Sequence, residues 1–462
     1  MANTDALANA VAKAAHTFAG RLLLPTDPAY ESTRHVHNGL IDKRPALIAR
    51  CLGIADIVDA VGLARNLDLT VAIRGGGHNV AGRATVDGGL MIDLADMRGV
   101  HVDPKARTVR VQGGAIWGDF NRETQMHGLA ATGGVVSTTG VGGLTLGGGL
   151  GYTMSKYGLA LDNLLAVELV MADGKIVRAA HDENPDLFWA VRGGGGNFGV
   201  AASFEFRLHP VGPLITGGVV AHPFAKARDV LRFYRDLTQS LPDEMCVFGG
   251  LLHAPDGSGT KLAGMAVSHC GSLEAGTSAV LPIKTYGSPV VDQLGPMPYT
   301  AVNTMLDGAY PKGALNYWKS GFLTQLSDAA IDAMVDAFAA CPAPMGQMLL
   351  EHFHGAATRV APTATAFPHR DDGYNLLVAA EWTDPTQNPA CIAWARSTHA
   401  AMAPFMTAGR YSNYLADDDA GDPTAGAYGP NLRRLQSIKA RYDPTNFYRM
   451  NQNIKPQGSS AP

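Results

Sequence analysis

Three clusters of glycine, all in the first half of a 462-residue chain, restrict the fold more than any other sequence feature. One lies at 75–77, directly after a strand-like segment at 69–74, a second runs from 133 to 151, and a third occupies 194–199. Consecutive glycines let the backbone turn with positive φ and present adjacent N–H groups, which form a nest for phosphate oxygens. For any one cluster a plain tight turn is the simpler interpretation. Because the clusters recur, and hydroxyl groups are interleaved in the second, the sequence favours a phosphate-bearing ligand.

The third cluster formally matches the G-x-G-x-x-G pattern of Rossmann dinucleotide sites. That pattern needs a strand before it and a helix after it, because the N-terminus of the helix holds the phosphates. Here the following residues, 200–208, alternate in the manner of a strand. We therefore expect no Rossmann site at this cluster.

The composition indicates a large folded protein without an extended charged surface. Hydrophobic residues make up 46% of the chain, charged residues 17%, and the formal net charge is -4. The length argues for two domains, since single cores rarely grow past about 250–300 residues. No long block of like charge is present, so we expect neither nucleic acid nor a membrane surface as a partner. No apolar run reaches the roughly 18–20 residues of a membrane span, and polar residues interrupt the alanine-rich N-terminus, which argues against a secretory signal.

The cysteines are odd in number, scattered, and without C-x-x-C spacing: Cys51, Cys246, Cys270, Cys341 and Cys391. This pattern offers neither a disulfide framework nor a zinc site. We expect five buried thiols, no metal and a cytoplasmic protein.

The order of predicted elements indicates an α+β fold rather than a regular βαβ alternation. Residues 46–67 have helical periodicity, and the segments at 100–114 and 164–179 are predicted hairpins. Near Pro210 the glycine clusters stop, and strands mix with helices up to about residue 405. The change predicts a second domain with a sheet and covering helices.

Several motifs, in this order along the chain, resemble one known family. They are Arg-Gly-Gly-Gly-His-Asn at 74–79, Thr-Gly-Val-Gly-Gly-x-x-x-Gly-Gly-Gly-x-Gly at 139–151, and Tyr-Asp-Pro-Thr-Asn-Phe with Asn-Gln-Asn-Ile within 442–454. They are similar to the FAD-linked oxidases of the berberine-bridge-enzyme-like group, in the vanillyl-alcohol-oxidase superfamily. Phe-Pro-His-Arg at 367–370 and Tyr-Ser-Asn-Tyr at 411–414 extend the similarity over most of the chain.

The resemblance implies an α+β protein with a two-lobed FAD-binding domain of the PCMH type and a substrate domain built on a mainly antiparallel sheet covered by helices. Together with the change near Pro210, it predicts an FAD-binding domain at 1–212, a substrate-binding domain at 213–408 and a C-terminal return to the FAD-binding domain at 409–462. In the family, the histidine of the first motif is bonded to the C8 methyl group of the flavin. The resemblance therefore implies covalent FAD through His78.

The resemblance also assigns the cofactor-binding residues. They are Arg74, Gly75, Gly76, Gly77, His78, Asn79, Gly82, Gly133, Thr138, Thr139, Gly142, Gly143, Gly148, Gly149, Gly151, Tyr152, Val200, Asn451 and Asn453.

Two positions depart from the family pattern. Many relatives carry a second covalent link from a cysteine four residues before Gly-Val-Gly-Gly, and here that residue is Val136. We therefore predict a single covalent link. In the same relatives an aliphatic residue just before Gly-Val-Gly-Gly gates oxygen, and here it is Thr139. The polar side chain leaves two electron acceptors open, oxygen or another molecule.

Oxidation by a flavin needs a base for the substrate proton. The resemblance assigns this role to Tyr414, with Tyr411 three residues upstream, although both could be packing residues. An unperturbed phenol titrates near pH 10, so a cationic or donor neighbour would have to lower its pKa. Arg410 is one candidate for that neighbour, and a solvated surface arginine is the alternative.

A second set of candidates lies on a predicted strand at 351–354. In the plant relatives an acid or amide five residues before a tryptophan assists the base, and here that residue is Leu377. At a period of two, His352 and His354 share one face of the strand, and Glu351 lies on the other. Since no third metal ligand is suggested, we expect one of these two histidines to line the substrate cavity.

The sequence thus predicts an FAD-dependent oxidase that removes a hydride from a C–OH or C–N centre of a small molecule and is reoxidised by oxygen. The alternatives are a dehydrogenase with another electron acceptor and a catalytically silent flavin-binding protein. We expect a monomer or a small homo-oligomer. The sequence does not name the substrate.

Overall fold

The computed structural model describes residues 4–418 and 422–458. Helices and strands are numbered in chain order. The α-helices of these ranges are α1 (Thr4–Ala14), α2 (Tyr30–Arg34), α3 (Ile54–Asn66), α4 (Trp117–Gln125), α5 (Val141–Leu146), α6 (Met154–Tyr157), α7 (Pro185–Val191), α8 (Ala227–Thr238), α9 (Leu273–Thr285), α10 (Tyr299–Thr304), α11 (Asp328–Ala339), α12 (Asn388–Met402), α13 (Pro423–Tyr428) and α14 (Leu432–Tyr442).

A four-stranded sheet forms the first lobe, with the spatial order β1-β2-β4-β3. Its strands are β1 (Arg21–Leu23), β2 (Leu47–Arg50), β3 (Val71–Arg74) and β4 (Leu90–Asp93). β2 and β3 run parallel to β4, and β1 runs antiparallel to β2. Helix α3 buries Ile57, Ala60 and Val61 in the core that this sheet shares.

The helix predicted at 46–67 is wrong in its first part. Leu47, Ile48 and Ala49 lie in β2 and are completely buried, and α3 begins only at Ile54. A strand that is buried on both faces is continuously apolar, so its periodicity does not distinguish it from a buried helix.

A five-stranded antiparallel sheet forms the second lobe, with the order β5-β6-β10-β8-β9. Its strands are β5 (Val100–Asp103), β6 (Thr108–Gln112), β8 (Leu164–Val170), β9 (Ile176–Ala180) and β10 (Val200–Arg207), and a small pair is formed by β7 (Leu129–Ala130) and β11 (His209–Pro210). The two predicted hairpins are confirmed as β5–β6 and β8–β9. The third glycine cluster leads into strand β10, as predicted, and not into a helix.

The largest sheet is antiparallel and takes its strands from residues 214–382. Seven strands follow the order β15-β12-β14-β13-β18-β19-β17, and β16 pairs with β12. They are β12 (Leu214–Pro223), β13 (Met245–His253), β14 (Lys261–His269), β15 (Val291–Asp292), β16 (Gly295–Pro298), β17 (Leu315–Leu323), β18 (Gln347–Phe353) and β19 (Gly373–Trp382). The predicted α+β fold, with a mainly antiparallel sheet covered by helices, is confirmed.

The two faces of this large sheet have different surroundings. On β19, Leu376, Val378 and Ala380 belong to the core formed with helices α8, α11 and α12. The alternating residues, such as Leu377, point towards the glycine-rich loops of the two lobes. The open face of the sheet is therefore one side of a cleft.

The C-terminal segment returns to the two lobes and is bound there by a buried lysine. Lys439 on α14 donates Nζ hydrogen bonds to Asp443 Oδ2 at 2.6 Å and to the carbonyl oxygens of Asn197 at 2.5 Å and Tyr448 at 2.8 Å. These bonds fix the residues after α14 against the third glycine cluster.

The five cysteines are buried free thiols. Within residues 4–418 and 422–458, no helix combines the length and the apolar character needed to cross a bilayer. The same ranges contain no group of three His, Cys, Asp or Glu side chains arranged to hold a metal ion.

Candidate active site

The three glycine clusters converge on one cavity that faces the large sheet. The cavity is partly open to solvent and is lined by residues from all three clusters and from the sheet. The predicted cofactor and catalytic residues that line it are Gly75, Gly76, Gly77, His78, Asn79, Thr139, Gly142, Gly143, Asn451, Tyr411 and Tyr414.

We name the two sides of this cavity by their residues. The glycine wall consists of residues 75–79 together with Thr139, Gly140, Gly142, Gly143, Gly195, Gly196 and Gly199. The sheet wall consists of Tyr310, Trp318, Leu349, Glu351, Leu377 and Tyr414.

Loop 75–79 presents a row of free donors to the cavity. The amide N–H groups of Gly75 through Asn79 donate to no acceptor within the described part of the chain. Gly77 is buried and the other four residues are half-buried, and consecutive N–H groups in such a loop form a nest that suits a ligand with several acceptors. Gly77 has φ +72°, a conformation that glycine adopts without strain.

The glycine wall is also held together by close contact between two of its loops. A Cβ atom on Gly76 would lie 2.3 Å from the amide nitrogen of Gly140, and a Cβ atom on Gly140 would lie 2.3 Å from that of Gly76. Only glycine lets the two backbones approach this closely. Part of the first motif therefore serves loop packing.

Several glycines of the second cluster do not line the cavity. A Cβ atom on Gly133 would overlap the Trp117 ring at 2.2 Å, and one on Gly151 would lie 1.8 Å from the Gly133 carbonyl oxygen. Gly148 and Gly149 have φ values of +139° and +95° and form the turn after α5. These four residues shape the loop and leave contact with the ligand to their neighbours.

Other predicted cofactor residues are also outside the cavity. Gly82 has φ +67° and lies against Ile41, Val200 is completely buried in the core of the first lobe, and Tyr152 is buried below the large sheet. Asn453 does not reach the cavity wall. The structure does not place these residues on the cavity wall: Gly82, Gly133, Gly148, Gly149, Gly151, Tyr152, Val200 and Asn453. Their assignment to the cofactor stays a prediction.

Arg74 stabilises the loop at 75–79 without lining the main cavity. Its guanidinium group forms a bidentate pair with the buried carboxylate of Asp93, at 2.8 and 2.5 Å, and donates to the carbonyl oxygen of Thr33. Arg74 and Thr138 line a neighbouring cavity that shares His78 with the main one. They contact the loop that carries His78 rather than the main cavity.

His78 lies at the junction of the two cavities. Its Nε2 atom is 2.9 Å from Thr138 Oγ1, and its ring stacks on His37 with the centroids 3.9 Å apart. Burial lowers the pKa of His78 to about 3 and that of His37 to about 4. The imidazole of His78 is therefore neutral near pH 7 and retains a nucleophilic lone pair.

A carboxyl group on the sheet wall carries the acid–base chemistry that the site can support. Glu351 on β18 is buried, and its Oε1 atom accepts a hydrogen bond of 3.0 Å from the Tyr414 hydroxyl. Its Oε2 atom accepts a bond of 2.7 Å from the Asn375 amide on the neighbouring strand. Burial raises the pKa of Glu351 to about 7, which the two donors partly oppose. A base with this pKa is matched to neutral pH.

The expected lowering of the Tyr414 pKa is wrong. Burial, and after it the charge of Glu351, raise that pKa well above 10. Arg410 does not counteract this, because its guanidinium donates to the carbonyl oxygens of Thr407 and Gly409. The phenol is thus a proton donor to Glu351 in this arrangement.

Tyr411 has a different environment. Its hydroxyl oxygen accepts from the Gly149 N–H at 3.0 Å and from the Asn413 amide at 2.8 Å. Its ring meets that of Tyr414 edge-to-face, with the centroids 4.8 Å apart. Tyr411 therefore fixes the second glycine loop and the orientation of Tyr414.

The expectation that His352 or His354 lines the cavity is wrong. His352 packs on Tyr374, which belongs to the core under the covering helices, and His354 Nε2 is 3.0 Å from the Met245 carbonyl oxygen. The face of β18 that carries His352 is covered by helices, and the opposite face, which carries Glu351, lines the cavity. The chemical candidate on this strand is the acid.

Sequence reasoning also missed residues that line the cavity. They are Arg83, Gly195, Gly196, Gly199, Tyr310, Trp318, Leu349, Glu351, Ser412, Asn413, Tyr428 and Gln452. The Tyr-Ser-Asn-Tyr motif was a signal for Asn413, whereas Tyr310 and Trp318 carry no local pattern that distinguishes them from core aromatics.

Two family models match the chain: an FAD binding domain over residues 45–180, and berberine and berberine-like over 410–455. An FAD-linked oxidoreductase of Dictyostelium discoideum is 32% identical over 416 residues, which is 89% of each chain. The (R)-6-hydroxynicotine oxidase of Paenarthrobacter nicotinovorans is 31% identical over 452 residues, covering 95% of this chain and 97% of that protein.

Solved structures agree with these matches. The 6-hydroxy-D-nicotine oxidase of Arthrobacter nicotinovorans has a TM-score of 0.87 and 29% identity, over 96% of this chain and 99% of that one. Fold and site together define an FAD-linked oxidoreductase with a PCMH-type cofactor domain. The chain belongs to the berberine-bridge-enzyme-like group of this class, as its motifs predicted, and it is an FAD-linked oxidase.

Proposed function

We propose that this enzyme holds FAD covalently through His78 and oxidises a C–OH or C–N centre of a small molecule, with molecular oxygen as the final acceptor. The observation that carries this proposal is the buried pair of Glu351 and Tyr414, which shares one cavity with His78 and the free amides of loop 75–79.

The residues present fit the cofactor. FAD, when bound, accepts a hydride from a carbon that bears oxygen or nitrogen. The free N–H groups at 75–79 suit the acceptors of a dinucleotide, and Thr139, Gly142, Gly143 and Asn451 line the same wall. His78 is neutral and adjacent, as a covalent anchor requires.

The protein's own part in the reaction is to remove a proton from the substrate oxygen or nitrogen. Glu351 is the group whose pKa, about 7, allows it to accept a proton at neutral pH. Tyr414 donates to Glu351, so it can pass its own proton on and take the substrate proton in exchange. Tyr414 is therefore proposed as the relay and Glu351 as the base.

The covalent link is tested by acid precipitation. Wild-type protein should remain yellow, and a tryptic peptide containing His78 should carry the mass of the flavin. His78→Ala should release its flavin on denaturation. Because residue 136 is valine, no cysteinyl–flavin peptide is expected. Complete release of FAD from the wild type by acid would refute the covalent assignment.

The reaction is tested by anaerobic flavin reduction across a panel of alcohols, amines and sugars, followed by admission of air. We expect reduction by at least one compound and rapid reoxidation with consumption of oxygen. The position of Thr139 on the cavity wall keeps a dehydrogenase as the second candidate. Substrate reduction followed by reoxidation only with a quinone or dye would favour that candidate, and no reduction by any compound would favour a silent flavoprotein.

A further inference from the structure

Two side chains contact the imidazole ring of His78. Thr138 places its Oγ1 atom 2.9 Å from Nε2, and the ring of His37 stacks on that of His78 with 3.9 Å between the centroids. These contacts limit the orientations that the ring of His78 can take. Bond formation at the ring depends on such a fixed orientation, because a displacement of about 1 Å can slow a reaction roughly 10²-fold.

The loop that carries Thr138 is held by a segment from another part of the chain. This segment, residues 307–314, lies between α10 and β17, and we call it the bridging segment. The carboxylate of Asp307 accepts a hydrogen bond of 2.8 Å from the Ser137 N–H and one of 2.5 Å from the Ser137 hydroxyl. Ser137 directly precedes Thr138, so Asp307 fixes the backbone from which Thr138 reaches the ring.

The other end of the bridging segment holds His37. The N–H of Gly313 donates to the carbonyl oxygen of His37 at 2.9 Å. The buried side chain of Asn38 donates to the carbonyl oxygen of Asn316 on β17 at 2.8 Å and accepts from its N–H at 2.9 Å. The N–H of His37 donates to the carbonyl oxygen of Gly77 at 3.0 Å. His37 is thus fixed between the bridging segment and the loop at 75–79.

The bridging segment also places a charge beside the two histidines. Burial lowers the pKa of His37 and of His78 most, and the positive charge of Lys312 lowers both further. Lys312 and Asp307 line the neighbouring cavity that reaches both rings. A neutral imidazole has the lone pair that a bond to carbon requires.

We propose that the bridging segment assembles the site of flavin attachment, and that Asp307 is a positioning residue for formation of the bond between His78 and FAD. This inference rests on the covalent link of the proposed function. The bridging segment belongs to the part of the chain that forms the large sheet. The attachment site is therefore complete only when that sheet is packed against the two lobes.

The step balances with oxygen as the oxidant. A ring nitrogen of His78 bonds to the carbon of the C8 methyl group, this carbon loses one hydrogen, and the imidazole loses the hydrogen of its N–H group. The two protons and two electrons released convert one molecule of oxygen, the acceptor of the proposed function, to hydrogen peroxide. Asp307 takes no part in these transfers and acts only through the loop that carries Thr138.

The test compares covalent with total flavin in the purified full-length protein. Total flavin is measured by absorbance, and covalent flavin by the colour retained after acid precipitation and by the mass of the His78 peptide. Each protein is then incubated in air with excess FAD, and the rise of acid-stable flavin is followed with time. Asp307→Ala should still bind FAD stoichiometrically, but its covalent bond should form roughly ten- to a hundredfold more slowly than that of the wild type.

Further variants show how Asp307 acts. Asp307→Asn keeps an oxygen acceptor for the Ser137 N–H and should restore most of the wild-type rate. Thr138→Val keeps the volume of the side chain, removes the hydroxyl and should slow attachment. Because Asp307 acts through Thr138, the double variant Asp307→Ala/Thr138→Val should be no slower than the slower single variant. Gly308→Ala is the control and should match the wild type, since Gly308 is exposed and no atom lies within 4 Å of its added Cβ.

Attachment at the wild-type rate in Asp307→Ala would overturn the inference, and so would additive effects in the double variant. Joint loss of FAD binding and of the unfolding midpoint in Asp307→Ala, without rescue in Asp307→Asn, would also overturn it, because Asp307 would then only stabilise the fold. If Asp307→Ala does not fold, Ser137→Ala carries the test. It removes only the hydroxyl bond and should slow attachment by a smaller factor, and an unchanged rate would overturn the inference.

The same measurements separate this inference from the proposed function. Acid-labile flavin in the wild type would refute the covalent link itself, and the inference with it. Covalent flavin in the wild type, with unchanged attachment in the Asp307 variants, would refute only the role of the bridging segment.

Discussion

The two walls of the cavity are built from different material. The glycine wall is formed mainly by loops: the amide groups at 75–79 have no acceptor among the described residues, and two of the loops touch where Gly76 meets Gly140. The sheet wall is made of side chains from separate strands, with Glu351 on β18 beside Asn375 on β19. A cofactor shared by many enzymes can be held by backbone atoms, whereas a particular substrate must be selected by side chains. The first wall should therefore be sensitive to added volume and the second to changed charge.

Removal of the charge from the sheet wall should have the largest effect. Glu351→Gln keeps the size of the side chain but removes the proposed base, and loss of a general base slows reactions by about 10²–10⁴. In the wild type, flavin reduction should rise with pH through about 7 and then level off, because only ionised Glu351 accepts a proton. The variant should lack this rise. Anaerobic stopped-flow reduction at saturating substrate measures both effects.

Tyr411→Phe is the matched control for that experiment. It removes a buried hydroxyl oxygen from the same cavity, but this oxygen accepts from Gly149 and Asn413 and has no bond to Glu351. It should slow reduction less than Glu351→Gln does. A Glu351→Gln enzyme with the wild-type rate and pH profile would exclude Glu351 as the base.

Added volume should break the glycine wall. In Gly76→Ala, the new methyl group would overlap the Gly140 amide at 2.3 Å, and neither backbone can move without opening the loop. We expect a loss of stability of about 3 kcal/mol, the upper range for overpacking, and a reduced flavin content after purification. Gly308→Ala is the control, since no atom lies within 4 Å of its added Cβ. Flavin content and unfolding midpoints equal to the wild type would show that the contact is not essential.

The two walls also differ in how well the sequence predicted them. The glycine wall was predicted because its residues are contiguous in the chain, from Arg74 to Asn79 and from Thr139 to Gly143. The individual role of each glycine was not predictable. Gly133 packs against Trp117 and Gly149 against Ala160, and both of these neighbours lie outside the glycine motif. The fold class followed from the motifs, whereas the buried strand β2 resembled a helix in its periodicity.

The sheet wall was predicted only in part. Tyr414 was identified from its motif, but the alternation along β18 gives two faces without indicating which one is covered by helices. That choice depends on the pairing of β18 with β13 and β19, which joins residues 20 or more positions apart. In the plant relatives the residue that assists the base corresponds to position 377, which is leucine here. An acid is present instead on the neighbouring strand, where Glu351 pairs with Asn375. Register of this kind is a tertiary property.

A second buried acid separates the role of the cavity from that of burial. Glu381 lies on β19, and burial raises its pKa from 4.5 to about 8. The folded protein thus binds this proton more tightly than the unfolded chain, so the contribution is complete below about pH 4.5 and is lost as the pH rises towards 8. The stability of Glu381→Gln relative to the wild type should therefore rise by about 4 kcal/mol between pH 5 and pH 8.5.

Denaturant unfolding at the two pH values measures this difference. Glu123→Gln, an acid on α4 whose side chain is 48% exposed, is the control and should show no such change. The same pH dependence in the wild type and in Glu381→Gln would mean that folding does not raise the pKa of Glu381. Because Glu381 does not line the cavity, its substitution should leave the pH profile of flavin reduction unchanged.

The smallest expected effect concerns Asn375, which donates to Glu351 Oε2 at 2.7 Å and so favours the ionised carboxylate. Asn375→Leu keeps a similar volume and removes that donor, so the pKa of Glu351 should rise. A hydrogen bond to a charged group contributes about 1.5–3 kcal/mol, and 1.36 kcal/mol corresponds to about one pKa unit. The rise of flavin reduction with pH should therefore move about one unit towards alkaline pH, while the rate at the plateau stays near that of the wild type.

Ser320→Ala is the control for Asn375→Leu. Ser320 is buried on the adjacent strand β17, and its hydroxyl has no hydrogen-bond partner among the described residues, so the variant should not shift the profile. A purely structural role for Asn375 would lower the rate by a similar factor at every pH and leave the midpoint in place. A shifted midpoint with an intact plateau, by contrast, arises only if Asn375 acts through the ionisation of Glu351. An unshifted midpoint would mean that the Asn375 amide does not favour the charged form of Glu351, and the pKa of the base would then be set by burial and Tyr414 alone.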